Sequence, residues 1–376
     1  MAPRNDRARS ANYPTFLIYI LMIPDQNSNR FQRLLDNRPY LLADGATGTN
    51  LFQVGLQTGD APELWNVDQP DKIRAHYQGF ANAGSDIILT NTFGGTRYRL
   101  KLHGAQDRVE ELNVAAAILA REVADSNSRE IAIAGSIGPT GEILEPNGEL
   151  TKAQASVAFL EQAKALIKGG VDVLWIETMS SVEEVEAAVD AVADLGLPIV
   201  FTMSVDTNGR TMMGITPPRI IQLAANVASP IHACGTNCGV GASEVVATIM
   251  TMHNAAKESG QNPVLVAKAN CGIPQWVDGE IVYNGTPALM ARYVQLALDA
   301  GARIVGGCCG TSYEHVAAMR KAMDNYQPGT PADFEQMQAD LGEVSAGAAA
   351  LFRGEDIVAQ AQSAKAGKRR RGRKPA

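Results

Sequence analysis

Between residues 40 and 326, short apolar runs alternate with longer stretches whose apolar positions recur at helical spacing. The runs lie at 40–43, 86–90, 131–135, 172–176, 198–203, 231–235, 263–267 and 303–306, and each ends in a polar or glycine-rich turn. Within a run, apolar and polar residues do not alternate. That pattern suits strands buried on both faces, hence a parallel sheet covered by helices. The helical stretches include 108–124, 152–168, 182–193, 242–257, 287–300 and 313–324. Eight strand–helix units predict an α/β fold, a single (β/α)8 barrel over 31–326. A doubly wound open sheet is the alternative.

A barrel carries its chemistry at the C-terminal ends of its strands. In chain order those ends hold Asp44, Asn91, Ser136, Glu177, Ser204 with Asp206, Asn237 with Cys238, Lys268 with Asn270, and Cys308 with Cys309. Ser, Asn and Asp also serve as turn formers and helix caps, so several of these residues have a purely structural explanation. Three cysteines at two strand ends are not explained that way. Cys308 and Cys309 lie in Gly306-Gly307-Cys308-Cys309-Gly310, and Cys238 lies about seventy residues upstream. Three thiolates can hold zinc and leave its fourth position open. Vicinal cysteines can also form a disulfide or fill a core as small residues. Successive strand residues face opposite ways, so Cys308 and Cys309 share a metal only where the strand ends or twists. Cys271 is close enough in sequence to be an alternative ligand, and Cys234 reads as buried in strand six. The histidines, His76, His103, His232, His253 and His315, show no ligand spacing. Lys268 reads as a charged rim residue facing a carboxylate.

Composition narrows the setting. A formal net charge of -7 argues against nucleic-acid binding by the body of the chain. Five cysteines without a secreted-scaffold spacing point to a reducing compartment, hence a cytoplasmic protein. Residues 1–30 form an N-terminal extension. Its apolar stretch, 16–23, is too short to span a membrane, and two readings stand: a targeting segment, or a start assigned upstream of a true start at Met22. Residues 327–376 form a C-terminal extension that ends in the run Lys368-Arg369-Arg370-Arg371-Gly372-Arg373-Lys374, expected to be a disordered basic tail. A scaffold or nucleic-acid-associated protein recruited by that tail is the non-enzyme alternative.

Several segments resemble the homocysteine S-methyltransferase family in identity and order. They are Leu42-Ala43-Asp44-Gly45-Ala46-Thr47-Gly48-Thr49, Thr90-Asn91-Thr92-Phe93, Gly135-Ser136-Ile137-Gly138-Pro139, Glu177-Thr178, Asn237-Cys238-Gly239 and Gly306-Gly307-Cys308-Cys309-Gly310. The chain resembles in particular the stand-alone bacterial betaine–homocysteine enzymes, which share Gly59-Asp60-Ala61-Pro62-Glu63-Leu64-Trp65. It is also similar to the homocysteine-binding barrel of cobalamin-dependent methionine synthase. The resemblance implies Zn2+ held by Cys238, Cys308 and Cys309. It implies Asp44 and Glu177 on the homocysteine amino group, with Asn237 orienting the site. No side chain becomes covalently methylated in such a reaction. L-homocysteine and a small methyl donor are the implied partners, with glycine betaine the expected donor.

The animal betaine enzymes carry tyrosines where this chain has Gly94 and Thr178. Trp65, Asn91, Phe93 and Tyr98 are the candidates for a donor pocket in their place. S-methylmethionine, methyltetrahydrofolate or a corrinoid-protein partner are the alternative donors. A homo-oligomer is compatible with the resemblance.

Overall fold

The computed structural model describes residues 29–206, 208–272, 274–277 and 280–355. Its strands are β1 (Leu41–Leu42), β2 (Ile87–Leu89), β3 (Ala132–Ile137), β4 (Val173–Met179), β5 (Ile199–Met203), β6 (Ala233–Cys238), β7 (Leu265–Ala269), β8 (Pro274–Val277), β9 (Glu280–Tyr283) and β10 (Ala302–Gly307). Among the described residues, eight of these pair in parallel in the order β1-β10-β7-β6-β5-β4-β3-β2. A parallel bridge between Ala43 and Ile87 joins the two ends. The backbone bonds Asp44 N–H to Ile87 O (3.0 Å) and Asp86 N–H to Leu42 O (2.7 Å) complete that seam. The fold is the (β/α)8 barrel, and the open-sheet alternative falls away.

Each strand is apolar on both faces because it serves two cores. Leu41, Ala43, Ile87, Leu89, Ala134, Trp175, Val200, Val266 and Ile304 fill the barrel interior. Their neighbours Leu42, Ile88, Ile133, Leu174, Phe201, Leu265 and Val305 pack outward against the helices. The helix Arg30–Asn37 plugs the bottom of the barrel with Phe31, Leu34 and Leu35, and the Asn29 side chain caps it at Gln32 N–H. At the same end, buried Asp86 gathers Arg38 (2.5 Å), Arg320 (3.0 Å) and Arg129 (3.4 Å). Such a network on the N-terminal face belongs to stability rather than to chemistry.

Two expectations need correcting. Strands β4, β6 and β7 run two or three residues further than the apolar pattern marks, because polar residues 177, 237 and 268 continue the ladder pointing inward. The antiparallel pair β8–β9 lies between β7 and the helix Pro287–Asp299, where no strand is expected. The turn signal Asp278-Gly279 was present in the sequence. The C-terminal extension is folded as far as its described residues reach. Helices Phe334–Leu341 and Ala346–Phe352 pack on the helix Ala242–Glu258. The basic run at 368–374 and the apolar stretch at 16–23 lie outside the described residues. Among the described residues no helix is long and apolar enough to cross a membrane.

Candidate metal centre and substrate site

Neighbouring strands bring the cysteines together. Cys238 ends β6, Cys308 and Cys309 follow β10, and β7 separates them in the sheet. Cys238 adopts a left-handed backbone, φ 62°, an uncommon conformation for a side-chain-bearing residue. Gly239 follows in the same region, and a side chain there would collide with the Val205 carbonyl at 2.2 Å. This turn re-aims the Cys238 sulfur, and the strand end at Gly307 lets both following cysteines point the same way. The sulfurs of Cys238, Cys308 and Cys309 all lie within 4.8 Å of one another. Three soft, convergent, partly exposed sulfurs suit zinc with one position open.

Asn270 ties the two cysteine loops together. Its amide donates to Gly239 O (2.8 Å), and its oxygen accepts from Cys309 N–H (3.0 Å). Asn237 accepts from Thr178 N–H (2.9 Å) and Thr202 Oγ1 (2.6 Å), and its amide donates to Thr178 Oγ1 (2.7 Å). The same amide reaches Cys308 Sγ at 3.9 Å. Asn237 therefore spans β4, β5 and the sulfur cluster. The three thiols lie close together and are partly buried. Cys238 is lowered by its bond to Cys308 but raised by Cys309 and burial, ending at about 11. Cys309 is lowered by Cys238 and raised by Cys308, ending at about 12, while Cys308 is raised by Cys238 and by burial. Without a metal these groups hold their protons at neutral pH.

A buried charge cluster occupies the interior of the same barrel. Lys268 donates to Asp44 Oδ1 at 2.8 Å, and Asp44 Oδ2 accepts from Leu89 N–H at 2.7 Å. Ser136 Oγ donates to Glu177 Oε1 at 2.5 Å. Burial raises both carboxyls, and Lys268 opposes the rise in each. Burial works against the Lys268 charge, but Asp44 and Glu177 outweigh it and keep it an ammonium. Two carboxyl groups face one ammonium in a low-dielectric space, so a ligand ammonium would supply the second positive charge there. Lys268 faces a carboxylate as expected, but it is buried rather than at the rim. It points inward because it follows Val266 by two residues on β7.

The remaining candidates are placed as follows. Asn91 is buried and held by its bonds to Pro62 O (2.8 Å) and Asn66 Oδ1 (3.0 Å). Trp65 carries Lys72 Nζ over its ring at 4.4 Å, and Tyr98 packs against the main core. Phe93 is 38 % exposed. Glu63 takes the space beside it. Its Oε1 accepts from Gly94 N–H at 2.6 Å and would lie 2.8 Å from any Cβ at 94. Cys234 faces the helical layer and Cys271 is buried; burial raises them to about 12 and about 11. Neither is among the three gathered sulfurs.

Sequence reasoning missed Tyr283, which no strand-end argument reaches because it sits on the unanticipated β9. Its Cβ and ring lie against Gly310, beside Cys309, and a Cβ at 310 would be 2.4 Å away.

The barrel, with its inward carboxyl groups and sulfur cluster at the strand ends, defines an α/β-barrel protein with a three-cysteine centre. Residues 41–323 match the family model described as homocysteine S-methyltransferase, and the chain belongs to that family. Among solved structures it is similar to the homocysteine methyltransferase MmuM from Escherichia coli. The oxidized form matches at TM-score 0.65 and 24% identity, covering 78% of this chain and 99% of that one. The metallated form matches at TM-score 0.64 and 24% identity over the same shares. At that identity the likeness speaks for the barrel fold.

Proposed function

We propose that this protein transfers a methyl group to the thiol of L-homocysteine, giving L-methionine, on a zinc ion held by Cys238, Cys308 and Cys309. The observation that carries this reading is the convergence of three sulfurs beside a buried Asp44–Lys268–Glu177 cluster with two carboxyls to one ammonium. Zinc, when bound, supplies Lewis acidity that keeps a coordinated thiol deprotonated at neutral pH. The chain's own residues do the rest. Asp44 and Glu177 offer carboxylate oxygens to the homocysteine ammonium. Ser136 and Leu89 N–H fix those carboxylates, and Asn237 and Asn270 fix the cysteines. The methyl donor must then present its carbon in line with the substrate sulfur, which is a matter of positioning.

Glycine betaine is the donor we test first, because the chain shares Gly59-Asp60-Ala61-Pro62-Glu63-Leu64-Trp65 with the bacterial betaine–homocysteine enzymes it resembles. The second reading rests on Gly94 and Thr178. Glu63 leaves no room for a ring at 94, and the Thr178 hydroxyl is engaged by Asn237. Those features suit a donor that needs no tyrosine cage at these positions, such as S-methylmethionine, methyltetrahydrofolate or a corrinoid protein.

The test is methionine formation from homocysteine by zinc-loaded protein, with glycine betaine, S-methylmethionine and methyltetrahydrofolate each offered alone. Turnover with betaine supports the first reading. Turnover with another donor keeps the chemistry and changes the donor. Cys308→Ala should abolish both zinc binding and turnover; full activity in that variant would sink the zinc mechanism.

A further inference from the structure

At the N-terminal face of the barrel, opposite the sulfur cluster, a cavity of about 460 Å3 lies among Arg38, Tyr40, Arg129, Arg320 and Asp324. That volume falls within the range of small-molecule sites, which starts at roughly 300 Å3. The three arginines arrive from separate parts of the chain. Arg38 precedes β1, Arg129 precedes β3, and Arg320 lies on the helix Tyr313–Asp324. Gly84 makes room for the last of them. Its backbone is left-handed (φ 107°), and a Cβ there would sit 2.6 Å from Arg320 Cγ.

Positive charge is in excess at this place. Asp86 is fully buried and pairs with all three arginines, and Arg320 Nη2 also pairs with Asp324 Oδ1 at 2.7 Å. Three guanidiniums therefore face two carboxylates, and Asp324 is largely exposed. Burial lowers the Arg129 pKa; Asp86 opposes that, while Arg320 and Arg38 lower it further. An anion in the cavity would relieve that mutual repulsion.

Donors are also left over. Arg129 is committed to the backbone, donating to Gly84 O (3.1 Å), Ala81 O (3.1 Å) and Ser85 O (2.9 Å). Arg38 gives only Nη1, to Asp86, and its side chain is 35 % exposed. Its Nε and Nη2 have no hydrogen-bond partner among the described residues. A guanidinium held on one side by a buried carboxylate offers its other edge as a fork of fixed direction, the geometry that takes two oxygens of an oxyanion. A planar carboxylate would be used up by that fork. A tetrahedral phosphate keeps a further oxygen for the field of Arg129 and Arg320. Tyr40, Pro39 and Met323 line the same cavity and give it an apolar wall.

We infer that this cavity binds a small molecule carrying a phosphate group, with the phosphate on the free edge of Arg38 and the rest of the molecule against Tyr40. The site is remote from the cysteines, and its test does not depend on the proposed methyl transfer. Isothermal titration calorimetry on the full-length protein in chloride buffer, with inorganic phosphate, AMP and acetate offered separately, reads it directly.

Saturable binding of phosphate or AMP, with acetate not matching it, is the expected result. Arg38→Gln should weaken that binding by roughly tenfold, the scale of losing charge-assisted hydrogen bonds. Asp86 keeps Arg129 and Arg320 in that variant. Pro39→Glu puts a negative charge at an exposed position on the rim and leaves every partner of Asp86 in place, so it should weaken binding as well and decides the matter if Arg38→Gln does not fold. No saturation by either phosphate compound below about 10 mM overturns the inference. So does acetate binding as tightly as phosphate, or an affinity that a folded Arg38→Gln protein leaves unchanged.

Discussion

His76 shows how burial alone sets the behaviour of a residue. It sits on the helix Pro70–Ala83 among Tyr77, Phe80 and Tyr313, with Nδ1 3.0 Å from the Tyr313 hydroxyl and Nε2 unpartnered. Burial lowers its pKa to about 4. Its unfolded form takes a proton near its ordinary value while the folded form does not. Stability should therefore be full above about pH 6.5 and fall as pH drops towards 4, by up to about 3 kcal/mol. His232 and His315 are shifted in the same direction. In metal-free protein, the urea midpoint should fall less steeply between pH 6.5 and 4 after His76→Leu. An unchanged slope would show that His76 is not the group responsible. The sequence marked His76 as structural from its lack of ligand spacing, but nothing local to residue 76 announces Tyr313, more than two hundred residues away.

At the scale of elements, the helix Ala242–Glu258 is the instructive case. Nearly every residue from Ala242 to Met252 is buried. One face lies on β6 and β7, and the C-terminal helices lie against it as well. Ser243 Oγ donates to Glu343 O at 2.7 Å, and Ser345 N–H donates to Glu244 Oε1 at 2.6 Å. Truncation after Tyr326 would uncover apolar surface and leave Glu244 without that partner. We expect Tm to drop by roughly 5 °C or more, with zinc stoichiometry retained. A truncated protein as stable as the parent would make the extension an appendage. The composition of 327–355 (Ala, Gly, Gln and Asp) reads as loose because its helices are short and find their apolar partners only on the barrel. The eight barrel strands were legible for the opposite reason: each carries its own apolar run.

For the whole molecule, zinc held as proposed would be a cross-link between β6 and β10, strands separated along the chain and joined through β7. A metal that binds the folded form alone stabilises it by about 4 kcal/mol at a thousandfold excess over Kd. Chelation should therefore lower Tm measurably. Because the cysteine thiols hold their protons without metal, zinc binding releases protons, and the zinc-dependent rise in Tm should grow with pH and fade in acid. Calorimetry with and without chelator from pH 6 to 8.5 checks this (pH values of about that span, chosen to bracket thiol competition). A Tm indifferent to chelation would argue against a metal bridging these strands.

The sequence by itself determined the barrel, the polar residues at its strand ends, and the three cysteines that the structure gathers. These follow from local periodicity and from residue types whose positions a parallel barrel makes equivalent. Tertiary structure decided the rest. It turned Lys268 inward against Asp44, set Glu63 over Gly94, and brought Tyr283 of β9 against Gly310. The physical reason is that such contacts depend on register between distant strands and on the room left by glycines, and no local pattern of apolar and polar residues records either.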